Sequence, residues 1–521
     1  MNLTRVARLL AGFVLFFALV QVVPLLFAWS EARVPYDTSA AFAGSIGVGC
    51  VTALLLWLAG QGAEREVRRK EGLVIVAFAW MLASVLGAIP FVWSGALSSG
   101  IDAVFETVSG LTTTGASVFG AKDTPAIENL PRSLLFWRAF LQFVGGMGII
   151  LLFIIVLPAM GVTGKNLLVS EQTGVSTEIG EPRMHDHARG LFRCYVVLNV
   201  ATTLGFWLAG LSLFDAVCHA FATIATGGYS TRNLSIGAYD NLAVEIVAIV
   251  GMFLGGCNFA WLVALARGGL RDARDVLRAP ELRCYALLLV CAITITTLSL
   301  WCGGLRLPDV EGTRDYANFG RCLRDAAFNV TSMFTSTGFV SADFQNWPTV
   351  TVFVIAFGTL MGACTGSTSG GMKVLRVLVC AKLATFHGRR FMRPKSVERL
   401  KIGGEVVADP VVTAVVAIVL LWLAVTGIGC FIFALDSRLD PLSCITAAAT
   451  LMGNSGPAMT AVLPNGAAVT LANAGAVNLG PYGSFGDLGP LGTAWGSAQM
   501  LLGRLEMVTL LVLLSPRFWK S

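Results

Sequence analysis

The chain has 521 residues, of which 55% are hydrophobic and only 13% are charged, and its mean hydropathy is +0.74. This composition excludes a single large water-soluble domain. Many stretches reach the roughly 20 apolar residues that span a bilayer core. The sequence therefore predicts an all-α integral membrane protein that lies in a lipid bilayer.

The basic residues follow the expected membrane topology instead of forming a nucleic-acid-binding patch. The net charge is +6, and most of the 37 Lys and Arg residues fall in alternate loops, for example at 65–70, 267–283 and 373–401. By the positive-inside rule these loops are cytoplasmic. We therefore expect both termini in the cytoplasm of a bacterial inner-membrane protein, and no nucleic-acid partner.

Two hydrophobic runs, at 9–29 and 40–60, precede the basic segment 61–71. The first run is too long for a signal-peptide core and lacks a small-residue cleavage site, which predicts a retained helix. The 12 cysteines contain no CxxC pair, so we expect neither a disulfide framework nor a zinc site. Residues 1–71 thus form an N-terminal unit of two transmembrane helices and a cytoplasmic loop.

Paired apolar runs follow, and each pair encloses a shorter segment that is rich in Thr, Ser and Gly and too polar to span. This pattern predicts four tandem repeats of helix, pore loop and helix (M1-P-M2) around a pseudo-fourfold pore. The second, third and fourth repeats begin with cytoplasmic loops, and the third contains an intramembrane loop. The predicted boundaries are 72–160, 161–266, 267–383 and 384–521.

The four enclosed segments end alike, and their glycines at 115, 227, 338 and 456 are 112, 111 and 118 residues apart. The endings are Thr112-Thr113-Thr114-Gly115-Ala116, Ile224-Ala225-Thr226-Gly227-Gly228, Thr335-Ser336-Thr337-Gly338-Phe339 and Gly453-Asn454-Ser455-Gly456-Pro457. Asp102, Asp215 and Asp325 stand 13, 12 and 13 residues before their glycines, and Asp440 is a looser counterpart. We expect these acidic residues to be N-terminal caps of the pore helices and not ion ligands, because acidic side chains suit helix starts.

Thr-x-Gly suits an ion pore because glycine adopts backbone angles that turn carbonyls inward, while threonine supplies a further oxygen. Rings of such oxygens replace the hydration shell of a potassium ion. Small residues also mediate tight helix packing in membranes, but packing alone does not explain the threonines or the regular spacing. Non-helical backbone at membrane depth is tolerated where it lines water or is buried in protein.

The sequence resembles the Trk/Ktr/HKT superfamily of potassium transporters, and most closely its ten-helix Trk-type membrane subunit, over residues 72–521 and in the two preceding helices. The motifs that carry the resemblance are Trp137-Arg138-Ala139-Phe140, Gly145-Gly146-Met147-Gly148, Ile224 to Thr231, Cys364 to Lys373, Asn454-Ser455-Gly456-Pro457 and Gly503-Arg504-Leu505-Glu506.

The resemblance implies potassium uptake through a selectivity filter, with potassium as the substrate and no cofactor in this chain. In that superfamily a serine at the first filter position accompanies sodium preference, and this chain has Gly115 there. The implied potassium-binding residues are Thr113, Thr114, Gly115, Ala225, Thr226, Gly227, Ser336, Thr337, Gly338, Asn454, Ser455 and Gly456.

The stretch 362–371 places glycine and hydroxyl residues in the middle of an apolar helix, which frees backbone polar groups. The resemblance implies an intramembrane gating loop there. A buried cation is usually functional, and we expect Arg504 to bond the loop in the closed state, although an Arg504–Glu506 ion pair is the alternative. The implied gate residues are Gly362, Gly366, Ser367, Thr368, Ser369, Gly370, Gly371, Lys373 and Arg504.

Other functions fit the sequence less well. A membrane-embedded enzyme needs a nucleophile or paired carboxylates at membrane depth, which the sequence does not offer, so we expect no enzyme. A secondary transporter is expected to show inverted repeats, whereas these four run in one direction. The loop at 362–371 lacks the Gly-Lys-Ser/Thr order of a phosphate-binding loop, and His185-Asp186-His187 is expected to be a solvated turn.

A sodium-permeable or cation-coupled member of the superfamily is the remaining alternative. The chain has no Rossmann-type glycine-rich unit, so nucleotide control has to come from another chain. The resemblance implies a homodimer and a cytoplasmic nucleotide-binding (RCK-type) regulatory subunit docked on the basic loops.

Overall fold

The computed structural model describes residues 2–31, 35–62, 69–159, 181–268, 270–304, 306–309, 312–393, 400–461, 477–505, 507, 513 and 515–520. The described chain is almost entirely helical. Two short hairpins join helices, Arg306–Asp309 with Gly312–Asp315 and Lys401–Ile402 with Glu405–Val406. A short helix, Pro516–Lys520, lies at the C-terminal end.

The N-terminal unit contains the helices Leu3–Val20, Val22–Ala28 and Thr38–Ala59. The first two form one apolar span with a slight interruption. They pack against the third helix and against the helix that begins at Arg69. A buried ion pair joins the N-terminal helix to that neighbour, with Arg5 Nη1 2.7 Å from Glu71 Oε2. The N-terminal unit is therefore attached to the first repeat.

The first transmembrane helix of each repeat, M1, is long. The four M1 helices are Arg69–Trp93, Glu181–Leu208, Pro280–Gly303 and Asp409–Phe433. Together with the two N-terminal spans, these account for the six described helices that are long and apolar enough to cross a membrane. The motif His185-Asp186-His187 lies inside the second M1 helix, so the expected turn at that position is wrong.

A shorter pore helix follows each M1. The four pore helices are Gly100–Leu111, Leu213–Ile224, Phe319–Phe334 and Pro441–Gly453. After each filter loop comes one short 3-10 turn, at Ile127–Asn129, Ser235–Tyr239, Phe344–Asn346 and Phe485–Asp487. The local order is thus the same in all four repeats, as the tandem pattern predicted.

The second helix of each repeat, M2, differs from one repeat to the next. The first M2 is continuous from Arg132 to Ala159. The second breaks between Leu242–Gly255 and Phe259–Arg267, whose axes differ by 99°, and the amphipathic helix Leu270–Arg278 follows. The third breaks between Thr349–Leu360 and Val374–Met392. The fourth is Pro490–Arg504. Breaks that contain glycine therefore interrupt the second and third M2 helices.

Candidate functional site

The four pore helices end at a common structure. In the first three repeats the residue that follows the C-cap has a left-handed backbone, and in the fourth the C-cap itself does. In every repeat a glycine two positions later also has a positive φ. The pairs are Thr113 and Gly115 (51° and 82°), Thr226 and Gly228 (52° and 74°), Ser336 and Gly338 (52° and 85°), and Asn454 and Gly456 (52° and 85°). Positive φ values at every second residue can present successive carbonyl oxygens to one side.

These four glycines form a closed ring, in chain order. A Cβ atom on Gly115 would overlap the Gly227 carbonyl oxygen, one on Gly228 the Thr337 oxygen, and one on Gly338 the Ser455 oxygen. A Cβ on Gly456 would lie 2.9 Å from the Thr114 oxygen, which closes the ring on the first loop. Each glycine is therefore required twice, for its backbone angle and for the close approach of the next loop.

In the second loop the structure shifts the predicted register by one residue. Gly227 had been aligned with Gly115, but the left-handed glycine that meets the third loop is Gly228. Gly227 instead matches Thr114, since both amides bond the carbonyl five residues upstream. Ala225 then matches Thr112, at the end of the pore helix. Measured to Gly228, Asp215 stands 13 residues upstream, as do Asp102 and Asp325 from their glycines, and this equality was available in the sequence.

A polar side chain of each pore helix, nine or ten residues before the ring glycine, bonds the part of the loop that follows that glycine. Glu106 accepts from the Val118 amide at 2.9 Å and from the Ser117 hydroxyl. The corresponding contacts in the other repeats are His219 Nε2 to Ser230 Oγ at 2.9 Å, Asn329 Nδ2 to Ser341 Oγ at 3.0 Å, and the Met459 amide to Thr446 Oγ1 at 3.0 Å. Each pore helix therefore anchors its own loop, which the sequence analysis missed.

Arg138 of the first M2 links the first two loops. Its Nε donates to Glu106 over 2.7 Å, and its Nη1 donates to the Ser230 carbonyl over 3.1 Å. The guanidinium lies 4.2 Å from the centre of the Tyr229 ring, and the Tyr229 hydroxyl donates to the Glu106 carbonyl over 2.8 Å. Arg138 and Glu106 are only 1% and 0% exposed. Through this buried ion pair and its contacts with Ser230 and Tyr229, Arg138 holds the first filter loop against the second.

The acidic residues upstream of the glycines play different roles. Asp440 is the N-cap of the fourth pore helix and accepts from the Leu442 and Ser443 amides. Ser99 and Ser212 cap the first two pore helices, with Asp102 and Asp215 in the first turn. Asp325 lies deeper, in ion pairs with Arg314 and Arg321 at 3.0 and 3.2 Å. The cap prediction is therefore right for Asp440 and wrong for the other three.

The break in the third M2 lies against the pore-helix ends of the ring. Ser369 Oγ is 2.9 Å from Ser336 Oγ, and the Gly370 amide donates to Ser336 Oγ over 2.7 Å. Thr368 Oγ1 donates to the Ile224 carbonyl over 2.8 Å. A Cβ on Gly370 would lie 2.6 Å from Asn454 Cβ. Residues 361–373, which we call the M2 loop, thus contact three of the four filter loops.

Contacts within the M2 loop use the glycines and hydroxyls that the sequence singled out. Gly366 and Gly371 have positive φ values of 73° and 67°, and the Gly362 amide donates to the Met372 carbonyl over 2.8 Å. Ser367 Oγ donates to the Cys364 carbonyl over 2.6 Å. The buried Lys373 ammonium donates to the Ser369 carbonyl. These bonds satisfy the backbone groups that the helix break exposes.

Arg504, the last residue of the helix Pro490–Arg504, also reaches the M2 loop. Its Nη1 donates to the Thr368 carbonyl oxygen over 2.7 Å, and the residue is 3% exposed. Within the part of the chain that the structure describes, Arg504 Nε and Nη2 have no hydrogen-bond partner. Glu506, the alternative partner considered for Arg504, lies outside the described residues.

The M2 loop is also tied to the second and third repeats. The Cys364 amide donates to the Gly256 carbonyl and the Phe259 amide to the Gly366 carbonyl, over 3.0 and 3.2 Å, at the break of the second M2. The Thr365 amide donates to Glu281 Oε1 over 2.6 Å, at the start of the third M1. The loop therefore joins the second M2 and the third M1 to the filter loops.

This arrangement can strip and pass a monovalent cation. Rings of inward-facing carbonyls coordinate dehydrated cations, and the C-terminal ends of four pore helices place partial negative charge beside them. The M2 loop stands next to the ring, at the ends of the pore helices.

Comparison with known proteins places the chain in a family. A family model described as "Cation transport protein" (TrkH) matches residues 38–465. The chain is 33% identical to the Trk system potassium uptake protein TrkH of Halomonas elongata and 31% identical to that of Escherichia coli, over the full length of both proteins in each case. The crystal structure of the potassium transporter TrkH from Vibrio parahaemolyticus covers all of both chains, with 30% identity and a TM-score of 0.83. Both the fold and the sequence identify the chain as a member of the TrkH family of cation transport proteins.

Proposed function

We propose that this chain takes up potassium across the bacterial inner membrane, through the ring of Gly115, Gly228, Gly338 and Gly456. The observation that carries the proposal is that all four glycines have positive φ values and approach the next loop in chain order. Similar proteins of Halomonas elongata and Escherichia coli are named potassium uptake proteins. Carbonyl rings of this kind replace the hydration shell of potassium.

The filter includes the residues just before each glycine. Thr114, Gly227, Thr337 and Ser455 supply the carbonyls that face the neighbouring loops. The left-handed Thr113, Thr226, Ser336 and Asn454 form the inner end of the ring, where three of them face the M2 loop. In the superfamily that this chain resembles, a serine at the first filter position accompanies sodium preference. Because this chain has Gly115 there, we expect it to prefer potassium over sodium.

The gate consists of the M2 loop and Arg504. The loop lies at the ends of the pore helices, and its Thr368 carbonyl accepts the bond from Arg504. In this state the loop blocks the inner end of the ring, and it has to move before an ion passes. Small shifts at one site can be amplified into a switch between two packed arrangements.

Regulation comes from a cytoplasmic nucleotide-binding subunit of the RCK type, docked on the basic loops of a homodimer. The cytoplasmic assignment of these loops follows from the positive-inside rule, which also places both termini in the cytoplasm. The M2 loop is bonded to Glu281, directly after the basic helix Leu270–Arg278. A subunit bound to the helix Leu270–Arg278 could therefore act on the gate through the bond between Glu281 and the M2 loop.

Ion flux into proteoliposomes that contain this chain tests the proposal. Potassium and rubidium should enter faster than sodium, and Gly115→Ser should lose that preference because a side chain there overlaps the Gly227 carbonyl. Gly120→Ser is the matched control, since Gly120 has the same φ of 82° but its added Cβ would meet only Asn233, the nearest atom at 3.3 Å. Equal sodium and potassium flux in the wild type would instead favour a sodium-permeable member of the family.

A further inference from the structure

The second filter loop lacks a side chain that the other three possess. Directly before the ring glycine stand Thr114, Thr337 and Ser455 in repeats 1, 3 and 4, but Gly227 in repeat 2. The hydroxyls of Thr114 and Thr337 each lie 2.7 Å from the threonine hydroxyl at the end of their own pore helix. Repeat 2 has Ala225 there, so neither partner of this hydroxyl pair is present.

The amide of Gln142, from the first M2, fills the vacant space. A Cβ atom built on Gly227 would lie 2.5, 2.7 and 2.8 Å from the Cδ, Oε1 and Nε2 atoms of Gln142. Gln142 is fully buried. Gly227 does not have a positive φ, so its backbone could carry a side chain, and what excludes one is Gln142.

The same amide bonds the backbone on both sides of the ring glycine. Gln142 Nε2 donates to the Gly227 carbonyl oxygen over 2.6 Å, and Gln142 Oε1 accepts from the Tyr229 amide over 3.2 Å. Gly228, between them, has a φ of 74°. A neutral amide can donate and accept at once, so Gln142 brackets a residue that has no side chain of its own to hold it in place.

We propose that Gln142 is a positioning residue for cation selectivity, which replaces the missing side chain of Gly227 and holds Gly228 in the ring. Repeat 1 thereby sets the filter geometry of repeat 2. The proposal rests on the proposed function, because it assigns Gln142 a role in the same filter. Gln142 does not itself contact the ion; it acts through the Gly227 carbonyl and the Tyr229 amide.

The test is the ratio of potassium to sodium flux in reconstituted variants. Gln142→Leu keeps the volume but loses both hydrogen bonds, and we expect the ratio to fall by about tenfold. Gln142→Asn retains the amide on a shorter stem, and an intermediate ratio is expected. Because Gln142→Leu could fail to fold, the milder Gln142→Asn variant and thermal unfolding in detergent accompany it.

A side-chain exchange provides the stricter test. Gly227→Thr alone should lower the flux ratio, because the new side chain overlaps Gln142. Combined with Gln142→Ala, the threonine has room and restores the side chain that repeats 1 and 3 carry at this position, with Ala225 still in place of its hydroxyl partner. The double variant should therefore exceed the worse single variant by roughly tenfold in the ratio, as expected for residues in direct contact.

Gln499→Leu serves as the control. Gln499 is also a buried amide on an M2 helix, but its Nε2 donates to Ala448 inside the fourth pore helix, over 3.0 Å. This variant should lower the unfolding temperature and leave the flux ratio unchanged. Two results would overturn the inference if the wild type itself is potassium-selective. One is an unchanged flux ratio in both Gln142→Leu and Gln142→Asn. The other is a double variant whose flux ratio is the simple sum, in free energy, of the effects of the two single variants. A wild-type protein that does not prefer potassium to sodium would instead count against the proposed function.

Discussion

The Arg504 guanidinium donates a hydrogen bond to the Thr368 carbonyl oxygen over 2.7 Å. This bond joins the last residue of the fourth M2 to the loop that interrupts the third M2. Thr368 in turn donates its hydroxyl to the Ile224 carbonyl, at the end of the second pore helix. Three repeats thus meet at one residue of the M2 loop, and the bond from Arg504 stabilises the arrangement seen here.

Arg504→Ala should raise potassium flux. A hydrogen bond from a charged donor contributes about 1.5–3 kcal/mol, so its loss should shift the balance of closed and open loops by roughly tenfold or more. Rubidium efflux from proteoliposomes measures the effect. Arg504→Lys keeps the charge but offers no planar fork, and an intermediate flux is expected. Wild-type flux in Arg504→Ala would show that this bond does not hold the gate.

Gly370→Ala should also favour an open M2 loop. An added Cβ would lie 2.6 Å from both Asn454 Cβ and the Gly453 carbonyl oxygen, which is closer than packed atoms tolerate, so the loop has to move away from the ring. Gly388→Ala is the matched control, because its added Cβ meets no atom within 4 Å on the helix Val374–Met392. Both variants are compared by rubidium efflux, and equal rates would contradict the placement of the loop.

Removing one member of the Glu106–Arg138 pair should destabilise the protein strongly. Breaking a buried ion pair costs about 3–5 kcal/mol, because it leaves a charge without compensation. Glu106→Gln should therefore lower the unfolding temperature in detergent and reduce selectivity for potassium. If its unfolding temperature matched that of the wild type, the pair would not hold the first loop.

The control for that experiment is the partly exposed pair of Asp436 and Arg438, 2.7 Å apart. It lies in the loop between the fourth M1 and its pore helix, where the hydrogen bond from Arg438 lowers the pKa of Asp436. Surface pairs contribute about 0–1 kcal/mol, so Arg438→Ala should barely change the unfolding temperature.

His219→Asn should preserve selectivity. Asn329 occupies the equivalent position in repeat 3 and bonds a serine hydroxyl in the same way as His219. His219→Leu, which leaves the buried Ser230 hydroxyl without this partner, should destabilise the second loop by about 1–3 kcal/mol. The potassium-to-sodium flux ratio distinguishes the two variants. A loss of selectivity in both would mean that the imidazole has a role beyond anchoring the loop.

The order of the elements was predictable from the sequence because it depends on local patterns. Apolar runs longer than a bilayer core predicted the M1 helices, and the glycines and hydroxyls at 362–371 predicted a break that the structure places between Leu360 and Val374. Both patterns act within one segment. Neither depends on which segments meet in three dimensions.

The parts of the site that depend on contacts between repeats were not predictable in this way. The register of the second loop was misassigned, because Gly227-Gly228 offers two candidate glycines. The spacing from Asp215 favours Gly228, and the contact of Gly228 with the third loop confirms that choice. Gln142 carries no signal in the sequence, since its role depends on the space beside Gly227. Asp325 was expected to be a cap, but the third pore helix begins earlier, at Phe319, and Asn318 caps it.

The reversal potential of proteoliposomes with potassium on one side and sodium on the other tests the four-glycine ring most directly. We expect a strongly potassium-selective potential for the wild type, and a potential near zero for Gly228→Ser, whose side chain would overlap the Thr337 carbonyl. A wild-type potential near zero, or a Gly228→Ser variant as selective as the wild type, would contradict this expectation.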